Sequence, residues 1–207
     1  GLLAALDRYP YGCTEQMTSK ALPLLYFDEV ARVMDLKGAE DIQKRIDEAV
    51  VEILSNQSST GGFGLWGPYE GDFWLDAYVT DFLSRAKAQG YQVPDLAFRN
   101  ALANLRNQVN YAPDFSDQVN GGGEALAYAL MVLAREGAAA IGDLRYYADV
   151  KGDDFSTPIA MAQLGAALAS YGDQARADAM FRKAVAKMEA LEPEQGQIWR
   201  VDYGTRY

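Results

Sequence analysis

The sequence predicts an all-α protein in which inner and outer helices alternate around a common core. Apolar residues recur at helical spacing along the chain, and no segment sustains the period-two alternation of a strand. Segments poor in charge also alternate with segments rich in Lys, Arg, Asp and Glu. A helix apolar on most of its surface belongs inside, and one with a charged face belongs outside. Such stacked hairpins make an α/α toroid or an α-solenoid. The hairpins keep no fixed repeat length, which weighs against a regular solenoid.

The first helix is predicted near 14–33. It is poor in charge, Leu22 to Phe27 is its most apolar stretch, and Pro23 is expected to kink it or break a turn. A charged helix near 39–55 follows, with Ile42, Ile46, Ala49 and Ile53 as its stripe. The next inner helix, near 73–87, carries Leu75, Tyr78, Val79, Phe82 and Leu83. Gly90 closes it, and Pro94 with Asp95 opens a charged helix near 95–109 with Phe98, Ala101, Leu102, Leu105 and Val109. Leu126, Leu130 and Leu133 mark an inner helix near 123–135, and a helix of intermediate character is expected near 139–149. Ser156 and Thr157 before Pro158 supply a cap and a first-turn proline for a helix near 158–170, striped by Met161, Leu164 and Leu168. Gly172 then Asp173 reads as a stop followed by a new cap. It opens a charged helix near 174–191 with Ala177, Phe181, Ala184 and Met188.

Two glycine-rich connections, Ser58 to Phe73 and Phe115 to Glu124, interrupt the helices. Neither has the strand context or the lysine of a phosphate loop, so both are read as turns. Phe63, Trp66 and Trp74 are expected to fold over helix ends as an apolar lid, with ligand stacking as the alternative.

Composition narrows the chemistry. The 207 residues suffice for one domain with a sizeable core. The net charge of −10 argues against nucleic acid or an anionic lipid surface as partner. No apolar run is long enough to insert in a membrane. There is no histidine, which removes Ser-His-Asp and Cys-His machinery and every His-ligated metal site. No cofactor or metal is expected. One cysteine excludes an internal disulfide. The chain opens at "GLLAAL" without Met or a visible signal peptide, and reads as a mature fragment or an excised domain.

That one cysteine, Cys13, lies in "DRYPYGCTEQMTSK" at the start of the first predicted helix. A lone cysteine in a helical protein is commonly a small buried hydrophobe, and Glu15 and Gln16 suit an ordinary first turn. Three features favour chemistry instead. Spacing of i, i+3 places Cys13 and Gln16 on one helix face. The first turn of a helix makes a thiol more nucleophilic. Tyr9, Pro10, Tyr11 and Gly12 give a rigid aromatic entry with a glycine that permits close backbone approach. A thiolate facing a carboxamide can displace ammonia and leave an internal thioester. Such an acyl group needs a dry, aromatic-walled pocket.

"PYGCTEQ" resembles the thioester motif, Cys-x-Glu-Gln behind a glycine, of the alpha-2-macroglobulin and complement family. "RYPYGCTEQ" is most similar to the bacterial alpha-2-macroglobulins. "GGFGLW", "DFWLDAYVTDFLSRAKAQGYQVP" and "DYGTRY" resemble further landmarks of that family's thioester domain, so the resemblance covers essentially residues 1–207. It implies an α/α toroid and a thioester between the Cys13 sulfur and the Gln16 acyl carbon. Glu15 matches the motif glutamate, in a local positioning role. Tyr9 and Tyr11, from their location, are candidates for shielding, beside Gly12. The resemblance further implies an endopeptidase inhibitor rather than an enzyme. Cleavage of a bait region elsewhere in a longer protein triggers covalent capture of the protease. Bacterial members are periplasmic, where they are thought to guard against foreign proteases, and the parent protein can be membrane-anchored. Implied partners are proteases and the other domains of the same parent chain.

Two departures from the family shape the expectations. Some complement members use a downstream histidine to transfer the acyl group to hydroxyls, and this chain has none, so amines are the expected acceptors. Family toroids close with more hairpins than the roughly four counted here. "VDYGTRY" looks like the start of a further inner helix, so the toroid is expected to be incomplete at the C-terminus. An open edge would expose apolar helix faces and favour self-association.

Two rival readings compete. An α/α-toroid cyclase or glycosidase needs carboxylates inside the ring. Asp28, Asp76 and Asp81 on inner helices are the main candidates, since Asp153 and Asp154 sit where capping is the ordinary role. A TPR-like binding module is suggested by "ALASYGDQARADAMFRKAVAKM", which occurs once rather than in tandem.

Overall fold

The structure is a computed structural model that describes residues 13–65, 67, 72–116 and 121–204, with 121 and 192–204 described by their backbone alone. Helices are α1 (Thr14–Met34), α2 (Ala39–Ser55), α3 (Phe73–Ala88), α4 (Asp95–Asn110), α5 (Glu124–Arg135), α6 (Ile141–Asp149), α7 (Pro158–Ser170) and α8 (Gln174–Gly204). Short 3-10 turns occupy Gly121–Gly123 and Gly152–Asp154. Among the described residues the sole β pairing is an isolated antiparallel bridge between Gln57 and Phe63. The predicted all-α class therefore stands. The chain divides into two compact units, Gly1–Tyr111 and Ala112–Tyr207.

In the first unit α1 packs on α2 and α3, and α3 on α4. The inner-and-outer pattern is plain in burial. Helix α3 buries ten of its 16 residues, including Leu75, Val79, Phe82 and Leu83. Helix α2 buries only the stripe Ile46, Val50 and Ile53, and α4 only Phe98, Ala101, Leu105 and Val109. Helix α1 departs from expectation. It buries one stripe from Thr14 through Thr18, Ala21, Leu24, Leu25 and Asp28 to Ala31. Tyr26, Phe27, Val30, Val33 and Met34 stay exposed, because α2 and α3 cover only one side of it. Pro23 breaks no turn: α1 runs unbroken from Thr14 to Met34. Proline removes one backbone donor, and packing along the buried stripe holds the remainder of the helix.

In the second unit α5 packs on α7, and α7 on α6 and α8. Thr157 caps α7 by accepting from the Ala160 N–H at 3.1 Å, with Pro158 at the first position, as predicted. Gly172 takes φ +78°, and the Asp173 side chain accepts from the Arg176 N–H, so the stop-and-cap reading also stands. The stripe of α8 differs from the predicted one. Ala177, Met180 and Ala184 are buried, whereas Met188 is exposed and Phe181 keeps 37% of its surface exposed. Phe181 nevertheless packs against Gly165 of α7, where a Cβ would meet its ring at 2.8 Å. Helix α8 continues to Gly204 rather than ending near 191, so no separate helix begins at Val201. Pro193 and Gly196 are isolated breakers, unlike the paired signal at Gly172 and Asp173.

Candidate functional site: the head of helix α1

Helix α1 begins with Cys13 as its N-cap residue, in extended backbone at φ −65°, ψ 169°. Its carbonyl accepts the first helical bond, from the Met17 N–H at 2.9 Å. Gln16 is the third helical residue, and its side chain turns back across the first turn. The Gln16 Oε1 accepts from the Cys13 N–H at 3.1 Å, and the Cys13 side chain faces the Gln16 backbone N–H in a capping box. The structure therefore brings together the two residues that the spacing placed on one face. Cys13 is a free thiol, half-buried rather than deep in hydrocarbon. Glu15 is exposed in the first turn. Tyr9, Tyr11 and Gly12 lie outside the described residues, as does Trp66.

The geometry has a chemical consequence. The Cys13 N–H already points at Gln16 Oε1, the oxygen that gains negative charge if a nucleophile adds to Gln16 Cδ. A fixed donor there stabilises that charge without reorganisation.

The residue between them, Thr14, is fully buried. Its backbone N–H donates to the Leu65 carbonyl at 2.7 Å. Its hydroxyl proton faces the Gly64 and Leu65 carbonyls, and its oxygen accepts from Asn56 Nδ2 at 2.8 Å. Both carbonyls belong to the glycine-rich connection after α2, which is more than a turn. Ser58 donates its N–H to the Gly62 carbonyl at 2.7 Å, and Gly64 to the Asn56 carbonyl at 3.2 Å. Gly61 takes φ +94°, and a Cβ there would sit 2.1 Å from the Asn100 carbonyl oxygen. Only glycine fits both demands.

Asp76 of α3 ties this loop down from inside. It is buried, and its Oδ1 accepts from the Phe63 N–H at 2.7 Å. Its Oδ2 accepts from Asn104 at 3.0 Å and Gln108 at 2.7 Å, both on α4. Burial pushes the carboxyl pKa upward, and these donors oppose that rise. Phe63 is itself fully buried in the core with Ile53, Leu75 and Phe98, so it is no lid over a helix end. Trp74 stays partly exposed on the first turn of α3, tilted against Tyr78 with ring centroids 4.9 Å apart.

The carboxylates weighed for an enzyme do not converge. Asp28 is bound by Arg32, Gln43 and Tyr91, and Asp81 by Arg85. Asp153 pairs with Lys183, and Asp154 accepts from Ser116, so neither caps a helix. Their place in a 3-10 turn ahead of Phe155 leaves the capping of α7 to Thr157. Asn56 and the hydroxyl of Thr14 escaped the sequence reading. The signals that point to them are the threonine inside "CTEQ" and the glycine pair at 61–62, which marks a backbone forced close to a neighbour.

An all-α chain whose first helix presents a facing cysteine and glutamine is the class defined by fold and site. The family profile for the A-macroglobulin TED domain matches residues 2–120, more than half of the chain. The chain belongs to the A-macroglobulin family and carries its TED domain. It is 34% identical to the alpha-2-macroglobulin of Escherichia coli K12 over 97% of its length, and 31% identical to that of Xylella fastidiosa Temecula1 over 93%. The chain spans about 12% of the length of these curated relatives. Among solved structures, native E. coli alpha-2-macroglobulin from domain MG7 to the C-terminus aligns with TM-score 0.76 at 32% identity, over 90% of this chain and 30% of that one. Salmonella alpha-2-macroglobulin reacted with methylamine aligns with TM-score 0.77 at 32% identity, over 90% and 13%. Trypsin-activated E. coli alpha-2-macroglobulin aligns with TM-score 0.75 at 31% identity, over 86% and 13%. The α/α toroid class expected from the helix alternation is the fold class of the TED domain.

Proposed function

We propose that this chain, residues 1–207, is the thioester-bearing domain of a longer protease-trapping protein. Cys13 and Gln16 form the bond. The Cys13 sulfur adds to Gln16 Cδ, the Cδ–N bond breaks, and ammonia leaves with the thiol proton. An amine then attacks the same carbon, an amide forms there, and the Cys13 thiol is released. The observation that carries this reading is the Gln16 carboxamide folded back onto Cys13, its oxygen held by the Cys13 N–H. Membership of the A-macroglobulin family supports it. So do the methylamine-reacted Salmonella relative and the E. coli relatives activated by trypsin and by elastase.

In this reading, cleavage of a bait region elsewhere in the longer protein exposes the thioester, and lysine side chains of the protease attack it. Each molecule is consumed by one capture, so the domain is an inhibitor rather than an enzyme. Glu15 positions the first turn, and Tyr9, Tyr11 and Gly12 contribute shielding. Neighbouring domains of the same chain keep water away until the trigger. The compartment is the periplasm, as the likeness to bacterial alpha-2-macroglobulins suggests.

Intact-mass measurement of the whole protein tests this. The native form should be lighter than its sequence by one ammonia. Methylamine should add to residue 16 and release one titratable thiol at Cys13. Trypsin treatment should yield a protease adduct that survives denaturation and is lost after methylamine treatment. A native mass equal to the sequence, with no methylamine uptake, would overturn the reading.

A further inference from the structure

We propose that Thr14 is a positioning residue, whose buried hydroxyl locks Cys13 at the head of α1 and keeps it facing Gln16. This rests on the thioester reading above and adds to it the element that sets the geometry.

The first turn of a helix is where fraying begins, because its N–H groups lack partners within the helix. Cys13 sits at that end, one residue before the first helical position, and the fold must stop it swinging away. Thr14 meets this need with contacts that leave the helix altogether. Its N–H donates to the Leu65 carbonyl, and its hydroxyl faces the carbonyls of both Gly64 and Leu65, some fifty residues away in sequence. Asn56 Nδ2 holds the hydroxyl oxygen from the other side. One turn later, and within the helix, Thr18 donates its hydroxyl to the Thr14 carbonyl at 2.8 Å.

The acceptors are themselves fixed. The Asn56 carbonyl binds the Gly64 N–H, and Asp76 binds the Phe63 N–H one residue earlier. Asp76 is in turn held by Asn104 and Gln108 of α4. A run of buried and part-buried polar contacts thus leads from α4 through Asp76 and the loop to the residue beside Cys13. A small displacement of a reacting atom costs orders of magnitude in rate, so a firm anchor at the residue next to the one that bears the thiol bears on the chemistry. The same anchor keeps a formed thioester from opening to water.

The test uses the whole protein that carries this chain, with Thr14→Val, Thr14→Ser and Asn56→Ala variants. Valine keeps the buried shape and removes the hydroxyl, and serine keeps the hydroxyl. Three quantities are read: the fraction of molecules lighter by one ammonia, the half-life of that form in buffer, and methylamine uptake at residue 16. Helix content by circular dichroism reports folding separately. The expected result is native-like helix content for Thr14→Val with a thioester half-life shortened about tenfold or more. Thr14→Ser should stay close to native, and Asn56→Ala should fall between. If Thr14→Val does not fold, Asn56→Ala carries the decision, since its backbone bond to Gly64 survives the substitution. A native thioester fraction and half-life in Thr14→Val, or in Asn56→Ala where that variant decides, would overturn the role of Thr14 alone. So would a serine variant as impaired as valine. Native protein without any thioester would overturn this inference together with the reading beneath it.

Discussion

The side-chain oxygen of Gln16 lies 3.1 Å from the backbone nitrogen of Cys13, closing the first turn of α1 on itself. This one contact gives Gln16 two roles. It satisfies a helix-end donor, and it presents an acyl carbon to the residue that bears the thiol.

Gln16→Ala separates the two roles. The variant loses the reciprocal cap and should be destabilised by about 1 kcal/mol, read as a lowered urea midpoint with unchanged slope. Methylamine incorporation should vanish. Cys13→Ser should also abolish incorporation while putting a hydroxyl oxygen, a good cap acceptor, in place of the sulfur at the N-cap, and so should cost less stability than Gln16→Ala.

The absence of histidine bears on which nucleophile wins. Transfer to a hydroxyl needs a base to take its proton, whereas an unprotonated amine needs none. Equal concentrations of an amine probe and a hydroxyl probe, added while the whole protein is treated with trypsin, should give amide products in large excess. Peptide mass spectrometry at residue 16 reads the ratio directly, and a majority of esters would contradict it.

Gly61 is predicted to be the least replaceable residue of the loop that clamps Thr14. Its φ of +94° disfavours any side chain, and a Cβ would stand 2.1 Å from the Asn100 carbonyl oxygen. Gly61→Ala should destabilise the protein by more than about 1 kcal/mol in chemical denaturation. Gly38→Ala is the control: it shares a positive φ of +99° with nothing nearby, and should cost less.

Asp76 predicts a pH dependence of stability. Burial raises its pKa in the folded state above the ordinary 3.8, so the folded protein binds the proton more tightly than the unfolded chain does. Its contribution to stability is therefore fully present below pH 3.8 and is lost as pH rises through the folded value. Asp76→Asn removes the titrating carboxyl. The difference in stability between the native protein and this variant should shift against the native protein as pH rises from 3.8, and then level off. A difference independent of pH between 3.5 and 7 would contradict the sign (about the range over which a perturbed carboxyl titrates).

Much of this protein was legible from the order of its residues. Helix ends were, because capping is local: Thr157 before Pro158, and Gly172 before Asp173, act within one turn. The facing of Cys13 and Gln16 was also legible, because three residues of helix place both on one side whatever surrounds them. Which apolar faces are covered was not. Phe63 looked like a lid and proved to be core, Phe181 and Met188 yielded the stripe of α8 to Met180, and α1 left Tyr26, Phe27, Val30, Val33 and Met34 exposed. Burial depends on which elements arrive from elsewhere, and periodicity carries no record of them. The grip of Gly64 and Leu65 on Thr14, and of Asp76 on Phe63, likewise joins residues far apart along the chain. The sequence by itself determined a helical protein and a cysteine beside a carboxamide. Tertiary structure alone decided that Thr14, beside that cysteine, is bound by Gly64, Leu65 and Asn56, because hydrogen bonds between distant segments exist only once the loop has met the helix.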